Sequence, residues 1–185
     1  MIRQAKSADY KEVAPLIIQA MEDLAMKFTR SNNIQKAIPV FEAFFQQKLN
    51  QYSYENTLVF EENGEIIGSI IAYDGAKLNA LRQAFLDYLW TNFQFAETPE
   101  DETEAGEYYL DTLSVSPGQQ GKGIGRQLIE AMIAHAQSKG FRQVGLLVDV
   151  ENPLAKKLYE RLGFQIKGTK PLMGGQYEHL VFEIR

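Results

Sequence analysis

Three glycines at alternate positions, Gly121, Gly123 and Gly125, stand at the mouth of a helical pattern that runs through GQQGKGIGRQLIEAMIAHAQ, residues 118–137. Glycine weakens a helix, so three at its start argue that something must approach the backbone closely, unless they only serve a tight turn. A helix N-terminus offers unpaired N–H groups and the positive end of the macrodipole, which suits an anion. Known phosphate-binding spacings narrow the choice. A nucleotide P-loop needs a hydroxyl residue after its lysine, but Lys122 is followed by Gly123. A dinucleotide fingerprint starts correctly at Gly121 and Gly123, then meets Arg126 where its third glycine belongs, although Asp149 lies at a tolerable distance for a ribose. The pattern Q-x-x-G-x-G, on Gln120, Gly123 and Gly125, fits better. It describes a nest of backbone N–H groups around a pyrophosphate, with Lys122 and Arg126 adding charge at the rim.

The elements around this loop follow from periodicity and turn chemistry. Residues 2–4 read as a short strand. Ala14, Ile17, Ile18, Met21, Leu24 and Ala25 fall at helical spacing behind Ser7 or Asp9 as caps. A second helix is expected over 36–51, with Pro39 in its first turn. Residues 57–73 read as a hairpin about Asn63-Gly64, and 77–93 return to helical period. YYLDTLSV, 108–115, is strand-like, and the helix after the glycines runs to about Ser138, where Gly140 stops it. QVGLLVDV, 143–150, is a buried-looking strand. Asn152 caps a helix with Pro153 at its first position and Gly163 as its stop. Residues 164–168 and 179–185 close the chain as strands. The order is that of an α/β protein with a mixed sheet.

Composition excludes several function classes. A chain of 185 residues suits one domain, 1–185, and its 45% hydrophobic and 23% charged content are ordinary for a globular protein. With no cysteine, disulfides, zinc–thiolate sites and thiol catalysis are ruled out, and no metal is expected. A net charge of −5 argues against nucleic acid as the main partner. No run approaches the ~20 apolar residues of a membrane span, and the start lacks a signal-peptide core. A cytoplasmic location without membrane attachment is the expectation.

From YYLDTLSV through SPGQQGKGIG to NPLAKKLYERLGF, roughly 108–168, the chain resembles the GNAT superfamily of N-acetyltransferases. The last element reads Asn152, Ala155, Tyr159, Gly163, Phe164, in the family's order N-x-x-A-x-x-x-Y-x-x-x-G-F. The resemblance implies a mixed, mostly antiparallel central sheet flanked by helices, with a V-shaped splay between two central strands. It implies acetyl-CoA as co-substrate. Leu113, Ser114 and Val115 would pair their backbone with the pantetheine arm, the N–H of Leu113 or its neighbour polarising the thioester carbonyl. Gln120, Gly121, Lys122, Gly123, Ile124, Gly125 and Arg126 would cradle the pyrophosphate. Asn152 would bond the pantetheine, a role its N-cap position explains equally well. Tyr159 would protonate the departing thiolate, where otherwise it is a core aromatic beside Leu158 and Leu162.

The implied reaction is direct attack of a primary amine on acetyl-CoA in a ternary complex. Its base is Asp111, placed by strand alternation on the face of Leu113 and Val115, with Asp149 as second candidate. Either carboxyl needs burial or a water relay to work near neutral pH. His135 and His179 read as structural, His179 lying where the acceptor site can reach. The acceptor is expected to be a small cationic molecule. A protein or peptide acceptor and a catalytically silent acyl-CoA sensor are the alternatives. The segment 75–106 departs from the minimal pattern as a helical and acidic insertion. Its apolar residues from Leu81 to Phe93 serve equally as a lid or as a homodimer interface. The run Glu97, Glu100, Asp101, Glu102, Glu104, Glu107 reads first as a solvated mobile loop and second as a lure for a cation.

Overall fold

A computed structural model describes all residues from Met1 to Arg185. Seven strands form one sheet in the order β1-β2-β3-β4-β5-β7-β6. They are β1 (Ile2–Gln4), β2 (Thr57–Glu62), β3 (Glu65–Asp74), β4 (Tyr108–Val115), β5 (Gln143–Asp149), β6 (Gln165–Leu172) and β7 (Gly175–Glu183). Asn63 and Gly64 both take left-handed φ, 53° and 83°, which is the turn that matches strand twist in a two-residue hairpin. Met173 and Gly174 do the same between β6 and β7, with φ of 48° and 84°. Gly174-Gly175 is the turn signal of this second hairpin, and the last strand begins at Gly175, ahead of the expected His179.

All neighbouring strands pair antiparallel except β4 and β5. Those two run parallel and pair at only three positions, Tyr108 to Leu110 against Val144 to Leu146. Beyond Leu110 and Leu146 each strand continues against its other neighbour, so a gap opens between them. This is the splay that the resemblance implied.

Six helices cover the two faces. On one lie α1 (Tyr10–Ala20), α2 (Glu22–Phe28), α3 (Ile38–Gln46) and α4 (Leu78–Phe93), on the other α5 (Ile124–Ser138) and α6 (Pro153–Arg161). Val13, Ile17, Phe41, Phe45, Phe85 and Leu89 close on Ile71, Tyr73 and Tyr109 from the first side. Leu128, Ile129, Met132 and Tyr159 close on Ile70, Leu110 and Leu146 from the second. Burial of this apolar surface, about 25 cal/mol per Å², drives the assembly. Phe85 anchors α4, with Phe28, Phe44 and Tyr52 edge-on at 5.4, 5.0 and 4.9 Å.

Two helices differ from expectation. The pattern read from Ser7 to Ala25 is interrupted at Met21, whose φ of −140° and ψ of 41° end α1 and start α2. The apolar period continues across the break, which is why the sequence concealed it. The second helix ends at Gln46, because Gln47 is already extended with ψ of 155°.

Candidate active site

The backbone supplies the first half of the site. Gly121 and Gly123 hold left-handed φ of 77° and 79°, and a Cβ on either would meet no protein atom within 4 Å. That conformation turns the chain into α5 with Gly123 as its N-cap. None of the backbone N–H groups from Gln120 to Arg126 donates to a protein acceptor. They form an exposed cluster of free donors at a helix N-terminus, the physical requirement for holding a phosphate. Gln120 instead ties the loop to β4, its Nε2 donating to the Val115 carbonyl at 3.1 Å. Lys122 donates to Gln119 and Arg126 pairs with Glu130, both at the surface.

The open edge of β4 leads from this loop into the gap. The Ser116 N–H donates to Ile67 of β3, so by alternation the N–H and C=O groups of Leu113 and Val115 point away from β3, toward the gap. Ser114 instead turns its side chain to α1, where Gln19 Nε2 donates to its hydroxyl at 2.8 Å. Asn152 and Asp149 border the gap from β5. Asn152 Oδ1 accepts from the Ala155 N–H and caps α6, while Asp149 Oδ1 accepts from the Glu151 N–H.

A cavity of about 570 Å³ occupies the gap and continues beneath α2 and α4. Leu113, Asp149, Asn152 and Tyr159 line one end. Tyr159 is buried, and its hydroxyl makes no hydrogen bond within the protein. Burial pushes that phenol up to about 12, so it is protonated at neutral pH.

Asp111 also lines the cavity, but on a different face from the one alternation predicts. The β3–β4 register slips between Ile71 and Ala72, which pair with Thr112 and Leu110 and leave Asp111 as the extra residue of a bulge. A bulge reverses the facing of everything beyond it. Asp111 therefore lies on the face of Tyr73 and Tyr109, while Leu113 and Val115 pack with the opposite layer. Its Oδ2 accepts from the Tyr73 hydroxyl at 2.7 Å. Burial pushes the Asp111 carboxyl up to about 6, with the Tyr73 bond opposing.

Glu102, a member of the acidic run, is the residue that sequence reasoning missed. Its Oε1 accepts from Gln51 Nε2 at 3.3 Å and its Oε2 from the Tyr109 hydroxyl at 3.2 Å. Gln51 also donates to the Tyr73 oxygen at 3.0 Å, so Tyr73 and Gln51 bridge the two carboxylates. Burial and then the charge of Asp111 push Glu102 up to about 8, against the pull of Tyr109, Arg82 and Gln51. The same surroundings hold the Tyr73 and Tyr109 phenols well above their usual range, burial first.

The acidic run is a strap fastened to the fold at several points, with Glu97, Glu100 and Asp101 still exposed. Asp101 pairs with Arg82 of α4 at 2.7 Å, and Glu100 accepts from the Met173 N–H at 2.8 Å. Glu104 lies 3.2 Å from Lys167 and 3.4 Å from Lys170. Glu107 is buried under β5 and β7, 2.8 Å from His179, where a Cβ at Gly145 would collide with its carboxylate. His179 is thus committed to Glu107 and does not line the cavity, and His135 is half-buried on α5 against Tyr108. The β6–β7 turn closes the roof, since Lys27 of α2 donates to the Met173 carbonyl at 2.7 Å.

Comparison with known proteins agrees with this geometry. A family model described as the acetyltransferase (GNAT) family matches residues 18–164. A structure titled as the crystal structure of an acetyltransferase superposes with a TM-score of 0.83 over 100% of both chains, at 28% identity. PaiA N-acetyltransferase from Thermoplasma acidophilum, solved in complex with coenzyme A, shares the fold at a TM-score of 0.60 and 15% identity, over 99% of this chain and 98% of that one. A mycothiol acetyltransferase of Gordonia bronchialis is 36% identical over 97 residues, 52% of this chain and 27% of the relative. The chain thus spans about a quarter of that curated relative's length. No helix is long and apolar enough to cross a membrane. The chain belongs to the acetyltransferase (GNAT) family.

Proposed function

We propose that this member of the family is an N-acetyltransferase that moves the acetyl group of acetyl-CoA to a primary amine of a small cationic molecule. The observation that carries the reading is the continuity of two features. The free N–H groups from Gln120 to Arg126 follow directly on β4 in the chain, and β4 carries Asp111 and Leu113 into the cavity that Tyr159 also lines. The co-substrate supplies an activated acetyl thioester on a pyrophosphate-bearing handle. Gly121 and Gly123 let its phosphates reach the amides, with Lys122 and Arg126 at the rim. The edge of β4 from Leu113 to Val115 and the Asn152 amide receive the pantetheine arm.

The chain's residues then divide the chemistry. The Leu113 N–H polarises the thioester carbonyl. Asp111, whose raised pKa makes it a better base at neutral pH than a free aspartate, takes a proton from the acceptor ammonium. Asp149 is the second candidate for that role. The Tyr159 hydroxyl, with no other partner in the protein, gives its proton to the departing sulfur. Direct transfer in a ternary complex is the route that this division of roles supports.

The roof formed by α4, the strap and the β6–β7 turn favours a small acceptor over an open peptide groove. The presence of both Asp111 and Tyr159 in the cavity weighs against a silent acyl-CoA sensor. The test is thiol release from acetyl-CoA across amines, polyamines, amino acids, aminoglycosides and peptides, with the N-acetyl product identified by mass. Release with peptides alone would move the acceptor to the macromolecular class. No release with any acceptor, while acetyl-CoA still raises the melting temperature, would leave a sensor.

A further inference from the structure

We infer that the acceptor end of the cavity is built for a diamine or polyamine, with Glu102 holding a second ammonium group while Asp111 faces the nitrogen that is acetylated. This rests on the acetyl-transfer reading and narrows its substrate. The cavity wall carries Glu22, Asp23, Glu102, Asp111, Asp149 and Glu151 against one cation, Arg82. Arg82 is already committed, to Asp101 at 2.7 Å and to the Pro99 carbonyl at 3.0 Å. No basic group is left to meet a carboxylate or phosphate on the acceptor. Independently, Thr112 lies on the same wall next to Asp111, 3% exposed, and its hydroxyl has no partner in the protein. A buried polar group without a partner is costly unless a ligand supplies one.

The placement of the two carboxylates gives the direction of the bound molecule. Asp111 is two residues from Leu113, whose N–H faces the gap. Glu102 is linked to Asp111 through the Tyr73 hydroxyl and the Gln51 amide. A molecule with one amine pairs with Asp111 and leaves Glu102 without a ligand partner. One with two amines satisfies both, and buried ion pairs that are also hydrogen-bonded are the strong ones.

Proton accounting is consistent with this. The reacting nitrogen gives one proton to Asp111, forms its bond to the acetyl carbon as the carbon–sulfur bond breaks, and its second proton replaces the one Tyr159 hands to sulfur. Glu102 exchanges no atom with the acceptor's carbon skeleton. Before binding, burial and Asp111 keep Glu102 protonated at neutral pH, so docking of an ammonium group releases a proton. Tyr109 and Tyr73 face Glu102 from the sheet, Arg82 from α4 and Tyr177 from β7, and the three phenols, all raised by burial first, keep their protons between pH 6 and 9.

The test compares linear diaminoalkanes with n-alkylamines and ω-amino acids of the same length, by thiol release from acetyl-CoA. The diamine of best length should exceed its monoamine by about tenfold or more in kcat/KM, with the ω-amino acid slowest. Glu102→Gln should bring the diamine down to the monoamine, mainly through KM, and Glu102→Asp should recover part of the loss. Equal rates for diamine and monoamine in the parent overturn the inference without any variant. So does a Glu102→Gln enzyme that loses both substrates alike. If no amine releases thiol although acetyl-CoA stabilises the parent, the transfer reading itself fails and the inference falls with it.

Discussion

The two ends of the cavity are made in different ways. The end assigned to acetyl-CoA is built from backbone: a run of free amides from Gln120 to Arg126 and the Leu113 and Val115 N–H groups on the edge of β4 that no strand pairs. Its parts are contiguous in the chain. The end assigned to the acceptor is built from side chains on Gln51, Tyr73, Arg82, Glu102, Tyr109 and Asp111, brought together by a strap, a helix and two strands. Backbone donors tolerate change in the side chains around them, so that end can stay constant while the other is re-cut for a new substrate. The difference predicts distinct failures. Damage to the side-chain end should spare cofactor binding, and damage to the backbone end should abolish it.

The largest effect is expected at Asp111. Asp111→Asn keeps the shape and removes the base, so kcat/KM for the acceptor should fall by about 10³-fold with acetyl-CoA affinity unchanged. In the parent, kcat/KM should rise with pH through about 6 as Asp111 ionises, and the variant should lose that limb. A variant with the parent's profile would pass the role to Asp149. Tyr159→Phe should come next, lowering kcat by about 10²-fold where chemistry limits the rate, again with little change in cofactor affinity. Unchanged turnover would make Tyr159 a packing residue against Phe164.

The smallest effect is on stability and concerns the acceptor end alone. Glu102 and Asp111 titrate higher in the folded protein, at about 8 and 6, than unfolded carboxyls near ~4. The folded state therefore binds more protons in that interval. The stabilisation is complete below the unfolded pKa and is lost as pH rises through the folded values. Glu102→Gln should raise stability more at pH 9 than at pH 5, seen in urea melts at both pH values. An equal effect at the two pH values would show that Glu102 is not desolvated.

The same contrast explains what the sequence disclosed. Asn63-Gly64, the Asn152-Pro153 helix start and the Gln120–Arg126 loop are local devices, and each appears where residue types and spacing put it. The splay of β4 and β5 was reached only through the resemblance. The bulge at Asp111 was hidden because alternation continues through YYLDTLSV without a glycine to mark a change of face. Glu102 was hidden for a different reason. Among six acidic residues in one run, only their distant partners distinguish them: Arg82 for Asp101, Lys167 for Glu104, His179 for Glu107, and Gln51 and Tyr109 for Glu102. The break at Met21, on the cavity wall, carries no composition signal at all.

The central claim is that backbone amides at the start of α5 hold the pyrophosphate of acetyl-CoA. Calorimetric titration of acetyl-CoA into the parent and into Gly123→Val tests it most directly. A side chain at Gly123 meets no protein atom within 4 Å but is strained at a φ of 79°, so valine disturbs the amide cluster both by filling its approach and by shifting its backbone, and a thermal melt of the variant checks that the fold persists. The parent should bind in the micromolar range and Gly123→Val at least about tenfold more weakly, a loss of about 1.4 kcal/mol, while Asp111→Asn binds as the parent does. Equal affinity in the parent and Gly123→Val would contradict the assignment of the amide loop.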